Sequence, residues 1–290
     1  MRTATVMLAL VGFAGSVHAY VRTTSERSGR PLFWGVRCLP MQPDARGSQD
    51  LPLSTVQQSL AQAARNWSGH TNACSSLVVF GVPPAGVLDA QPDDQHLVTF
   101  RDHGWDDSAN VVAKTVLWHL DVPGSVNDGL ILDADIKLNG TQFTFITDAA
   151  TAARVGTDVA DLEGTLTHEL GHVMGLQHTC WDEVGPQPVD DQGQPVPTCG
   201  GPLPPSVTQA TMYPYTVPPG STAMRQVSDD DVRGICGPYP AGSDAACFNH
   251  LQGGCSMATT ATSGPGWLWL VVALSFRRAR GGRPPDRSDQ

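Results

Sequence analysis

Basic charge is scarce in this sequence: its 290 residues hold 18 Lys and Arg against 28 Asp and Glu. Residues 1–19 contain one arginine, and residues 255–290 contain five arginines and two aspartates. The stretch between them therefore carries 12 basic and 26 acidic residues, a net charge of −14. This balance excludes nucleic acid as an expected partner, because polyanions are held chiefly by Lys and Arg on their phosphates. Long apolar runs are missing as well. The run Trp267 to Phe276 has ten residues, whereas a helix crossing a bilayer needs about 20, although the weakly polar stretch from Met257 extends it.

What is present at the two ends points to export. Arg2, the apolar run Ala4 to Gly15 and the small-x-small sequence Val17-His18-Ala19 follow the order of a secretory signal, with cleavage before Tyr20. Residues 1–19 are therefore read as a signal peptide. At the other end, Gly253-Gly254-Cys255-Ser256 precedes a Gly/Ser/Thr/Pro spacer, the short apolar run, and Arg277, Arg278, Arg280 and Arg283, a basic flank that would stay on the cytoplasmic side of a membrane. With both ends set aside, Tyr20 to Gly254 is long enough for one well-cored domain.

Setting Cys255 apart leaves Cys38, Cys74, Cys180, Cys199, Cys236 and Cys247, an even set in a chain read as exported, where disulfides are permitted. Proximity along the chain predicts Cys38–Cys74, Cys180–Cys199 and Cys236–Cys247. The patterning predicts a first strand in Pro31 to Val36 and a helix capped by Ser54 and running to about Trp67, with Val56, Leu60, Ala63 and Ala64 on one face. Strands follow at Leu77–Phe80, Leu97–Arg101, Val111–His119, Leu130–Leu138 and Phe143–Ile146. A long Pro- and Gly-rich irregular segment spans Cys180 to Pro219, and a last helix follows Ser228. An early helix, a cluster of strands and late helices read as a mixed α/β (α+β) layer architecture.

The chemistry is concentrated in Thr157 to Thr179. His168, Glu169, His172, Gly175 and His178 fit H-E-x-x-H-x-x-G-x-x-H. At about 100° per residue, Val159, Leu162, Leu166, Leu170 and Val173 fall within an arc of about 80°, the buried stripe of a helix started by Thr157 or Asp158. His168 and His172 point together away from that stripe, with Glu169 beside them. Gly175 can take the left-handed conformation that ends the helix and lets His178 return as a third ligand. Three imidazoles leave one position for water on a zinc ion, and the metal lowers that water's pKa to about 7, so that Glu169 can act as general base. Five such positions recur by chance in a chain of this length with odds on the order of 10⁻⁵, which favours the metal reading over a merely histidine-rich helix.

The metal motif, Met212-Tyr213-Pro214 following it by 34 residues, and Val227-Ser228-Asp229-Asp230-Asp231-Val232-Arg233-Gly234-Ile235 together resemble the matrixins, the metzincin family of the matrix metalloproteases. The resemblance implies a zincin fold over residues 20–240, with a mixed twisted sheet, an active-site helix and a C-terminal helix after a Met-turn. It implies His168, His172 and His178 as zinc ligands, Glu169 as base, Met212 as the Met-turn residue, and Asp230 or Asp231 as a brace for that turn. Leu132-Asp133-Ala134-Asp135-Ile136 resembles a sheet strand of the family. Departures are Thr179 where matrixins carry Ser, and Tyr215-Thr216 after Pro214 where Pro-x-Tyr is common. Arg37-Cys38-Leu39-Pro40 is a weak match to the family's inhibitory cysteine segment, and a structural cysteine is the stronger reading.

The last 38 residues resemble the MYXO-CTERM sorting tag of exported myxobacterial proteins, with residues 241–256 as a tail, Cys255 as the processing and attachment residue, and residues 257–290 as the sorting segment. Asp89, Asp93, Asp94, Asp102, Asp106 and Asp107 around His96 and His103 read as a solvated acidic loop; the resemblance adds a structural Ca²⁺ or second zinc there as the alternative. His70, His119 and His250 read as surface or satisfied histidines. The function expected is a secreted or surface-displayed, monomeric zinc endopeptidase acting on protein or peptide substrates. The alternative is an inactive surface-binding or adhesion module on the same fold.

Overall fold

The computed structural model describes residues 20–216, 218–242, 247 and 269–278. The expected signal peptide, Cys255, His250 and most of the tail and sorting segment lie outside the described residues. The chain begins with three strands, β1 (Val21–Arg22), β2 (Phe33–Trp34) and β3 (Cys38–Pro43), and then helix α1 (Leu53–Thr71). That helix starts ahead of Ser54, with Pro52 at its N-cap, and continues past Trp67. Its apolar face, with Val56, Leu60, Ala63, Ala64 and Trp67 buried, is the one its sequence periodicity sets.

Strands β4 (Val78–Gly81), β5 (His96–Phe100), β6 (Val111–Leu120), β7 (Leu130–Leu138) and β8 (Thr144–Ile146) follow. Helix α2 (Ala149–Val155), β9 (Val159–Asp161), α3 (Leu162–Val173), β10 (Leu176–Gln177), α4 (Pro205–Thr208), β11 (Tyr215–Thr216) and α5 (Asp229–Cys236) complete the order, with β12 (Trp269–Arg278) last. The central sheet runs β11-β12-β6-β7-β5-β3-β4, and β2 also pairs with β7. Its pairings are mostly parallel, but β6 is antiparallel to both neighbours. The result is a mixed α/β layer structure. Strands β5, β6 and β7 are buried almost throughout, as strands covered on both faces must be.

Helix α3 lies against α1 and β6. Its start differs from the expectation. Val159 to Asp161 form a strand with β8, and Asp161 is the N-cap, its carboxylate accepting the Gly164 N–H at 2.7 Å. Val159 is therefore buried in β9 and not on the helical stripe. Arg225 pairs with Asp161 and Glu163, closing this end of the helix. Helix α2, capped by Asp148, was not anticipated from the apolar pattern.

Two of the expected disulfides are corrected. The pairs are Cys38–Cys247 and Cys74–Cys236, while Cys180–Cys199 is as expected. Cys74 follows the end of α1 and Cys236 closes α5, two helices in contact, so three-dimensional proximity overrides proximity along the chain. Cys38, tied to Cys247, is a structural cysteine.

Candidate metal centre

The i, i+4 spacing of His168 and His172 places both rings on one side of α3. At the helix end the Gly175 N–H bonds the His172 carbonyl, and Gly175 takes φ +95°, a conformation that suits glycine. The chain then runs through β10, which pairs antiparallel with β1, and brings His178 back over the helix. The three imidazoles meet. His178 Nε2 lies 3.3 Å from His168 Nε2 and 3.1 Å from His172 Nε2.

Each helical histidine is oriented through its other nitrogen. His168 Nδ1–H donates to the Thr211 carbonyl at 2.7 Å, and His172 Nδ1–H donates to the Leu176 carbonyl at 2.8 Å. Those bonds leave both Nε2 lone pairs facing the convergence point. Burial lowers the pKa of His168 to about 4, and burial together with the neighbouring His168 pushes that of His172 well below its ordinary value. Both rings are thus neutral, the form that binds metal. His168, His172 and His178 could hold a metal ion, and among the described residues theirs is the one cluster of three or more potential ligands gathered closely enough to do so.

The floor is built from residues distant in sequence. Met212 is fully buried, and a Cβ built on Gly171 would lie 2.3 Å from its Sδ, so the thioether packs directly against the helix backbone at Gly171, the residue before His172. Asp231 Oδ2 accepts the backbone N–H of Thr211 at 2.7 Å and of Met212 at 3.3 Å, besides the Ser228 hydroxyl at 2.7 Å. Of the two aspartates the sequence offered as braces, Asp231 holds the turn; Asp230 pairs with Arg233. Two indoles complete the setting, Trp67 Nε1–H bonding the Thr167 carbonyl at 2.8 Å and Trp34 Nε1–H the Val173 carbonyl at 2.7 Å.

Glu169 is fully buried. Its Oε2 accepts the Thr115 hydroxyl at 2.6 Å, whereas Oε1 has no hydrogen-bond partner among the described residues. Burial raises its pKa to about 8 despite the Thr115 bond. Thr115 is the residue of the candidate site that the sequence reading missed. A single hydroxyl at a buried position of an apolar strand was the available signal.

Other expected residues serve elsewhere. Asp89 pairs with Arg46 and Arg101, Asp106 with Lys137, and Asp107 with Lys114. Asp133 Oδ2 accepts the N–H groups of Asp93 and Asp94, and its Oδ1 meets His96 Nδ1 at 2.7 Å. The acidic stretch is thus tied to the sheet by ion pairs and backbone bonds. His119 is a correction to the satisfied-histidine reading, since it is fully buried with neither ring nitrogen hydrogen-bonded among the described residues. Cys180, two residues after His178, is consumed by its disulfide and offers no further ligand. Comparison of the sequence with protein-family models gives no match, and comparison with curated proteins gives none either.

Proposed function

We propose that the chain is a zinc-dependent endopeptidase of the matrixin type, exported and acting on extracellular protein or peptide substrates. The observation that carries this reading is the convergence of three imidazole Nε2 atoms beside a buried glutamate. Nitrogens bonded to a tetrahedral zinc ion at 2.0–2.1 Å stand about 3.3–3.4 Å apart, and the two contacts of His178, at 3.3 and 3.1 Å, lie close to that spacing. The donor set of three neutral imidazoles suits zinc and leaves a position for water.

When bound, zinc supplies Lewis acidity to the substrate carbonyl and acidifies a water. Thr115 fixes Glu169 through Oε2, so Oε1 is the oxygen that takes the proton as the water oxygen bonds to the carbonyl carbon. Glu169 then gives that proton to the amine as the C–N bond breaks. Thr211 and Leu176 hold the two helical histidines in the tautomer that keeps Nε2 for the metal. Asp231 acts at one remove, by positioning Thr211.

Export is supported by the three disulfides. Surface attachment through Cys255 remains part of the same proposal. The test is metal analysis of the full chain combined with a peptide-library digest. One zinc per chain and cleavage abolished by chelator support the reading; a zinc-loaded chain that binds peptides without cutting them points instead to the adhesion module.

A further inference from the structure

Strand β12 does not extend a free side of the sheet. It enters between two other strands, antiparallel to β6 from Trp269↔Leu120 to Arg277↔Val111, and parallel to β11 at Tyr215↔Arg277 and Thr216↔Arg278. Both flanking strands belong to the candidate site. Strand β6 carries Thr115, whose hydroxyl holds Glu169, and β11 begins three residues after Met212. In the register, the residue opposite Thr115 is Leu274. The Cα atoms of β12 also approach those of α3 within 8 Å. A ten-residue segment of the chain therefore runs beside the strand whose Thr115 holds Glu169, and close to the helix that bears the histidines.

Without β12, β6 and β11 would each present a row of unpaired backbone N–H and C=O groups toward the same gap. Such a gap accepts an extended peptide by strand addition, with backbone hydrogen bonds on both sides. We propose that Trp269–Arg278 is an intramolecular ligand of this gap, which keeps the site closed to extended peptides while the segment is engaged. The connection allows release. Cys247 is tied to Cys38 in β3, so a cut anywhere in residues 248–268 frees the strand and leaves all three disulfides of the domain in place. The inhibitory half of this inference rests on the endopeptidase reading; the occupancy half does not.

The test uses the full chain and its Val272→Pro/Leu274→Pro variant, since proline cannot donate to a ladder and is excluded from paired central strands. Amide hydrogen exchange of residues 111–120 and 215–216 is measured beside hydrolysis of a fluorogenic peptide. Protection of these residues is expected to fall at least about tenfold in the variant, while α3 stays protected. A synthetic peptide of residues 269–278 should restore it, and hydrolysis should rise at least about tenfold over the wild-type chain. Unchanged protection overturns the proposal, and so does measurable hydrolysis that is equal in both chains. Protection that falls and is restored by the peptide, with no hydrolysis in either zinc-loaded chain, upholds the occupancy and defeats the endopeptidase reading. If α3 also loses protection, the same readouts are taken on the folded wild-type chain with a site-specific protease sequence replacing Gly264-Pro265-Gly266, before and after cutting and dilution.

Discussion

Thr115 on β6 donates its hydroxyl to Glu169 on α3 across 2.6 Å, joining the sheet to the base of the candidate site. That bond stabilises the ionised carboxylate against the burial that raises its pKa to about 8. Thr115→Val keeps the shape and removes the donor. Glu169 then holds its proton more tightly, so the acidic limb of the kcat/KM profile moves to higher pH and the rate at neutral pH falls by roughly tenfold, corresponding to the loss of about one hydrogen bond. A pH profile of peptide hydrolysis for both chains checks this, and an unmoved acidic limb would remove Thr115 from the account.

Gly171 and Met212 leave no room between them. Alanine at position 171 gains up to about 1 kcal/mol of helix propensity. Its Cβ, however, meets Met212 Sδ at 2.3 Å and Trp67 Cζ2 at 3.0 Å in a fully buried setting, and such overpacking costs about 1–3 kcal/mol. Gly171→Ala is therefore expected to lower the melting temperature by several degrees and to weaken zinc retention in a competition with chelator, because Gly171 adjoins His172 and Met212 follows Thr211, whose carbonyl orients His168.

Asp231 makes stability depend on pH in a definite direction. Burial raises its folded pKa from 3.8 to about 6, against the pull of the Ser228, Met212 and Thr211 bonds. The folded chain thus binds this proton more tightly than the unfolded chain does. The contribution is fully present below about pH 4 and is lost as pH rises to about 6, an order of roughly 2–3 kcal/mol. Measured against Asp231→Asn, which cannot ionise, wild-type stability should decline across pH 4 to 6 and level off above it. A parallel pair of stability curves would show that Asp231 does not titrate in this window.

The disulfides differ in the loops they close. Cys74–Cys236 spans 162 residues and Cys180–Cys199 spans 19. On the chain-entropy account the longer loop contributes about 2 kcal/mol more. Denaturant unfolding of Cys74→Ser/Cys236→Ser should therefore show the larger loss, with Cys180→Ser/Cys199→Ser closer to wild type; the reverse order would place the stabilisation in native contacts around Cys180.

Much of this architecture was legible in the sequence where the signal is local. The i, i+4 pair His168 and His172, the turn at Gly175, the cap at Ser228 and the strand Leu130–Leu138 all follow from short-range geometry and patterning. The rest depends on contacts that no local pattern encodes. Asp158 and Asp161 are both suitable caps, and only the pairing of Val159–Asp161 with β8 decides for Asp161. Cys74 and Cys236 are neighbours because α1 packs on α5. Thr115 is one of several hydroxyls in the chain until the sheet register sets it against Glu169. The apolar run near the C-terminus is short against a bilayer, and its pairing with β6 has no signature beyond a strand-compatible composition.

The central claim is that His168, His172 and His178 hold zinc while Glu169 moves the proton. It is tested most directly by measuring zinc content and peptide-hydrolysis rate together for the wild-type chain and Glu169→Ala, each after a cut in residues 248–268. The account predicts one zinc per chain in both and a rate in the variant lower by about 10²–10⁴-fold. A zinc-loaded Glu169→Ala chain that cleaves at the wild-type rate would contradict it.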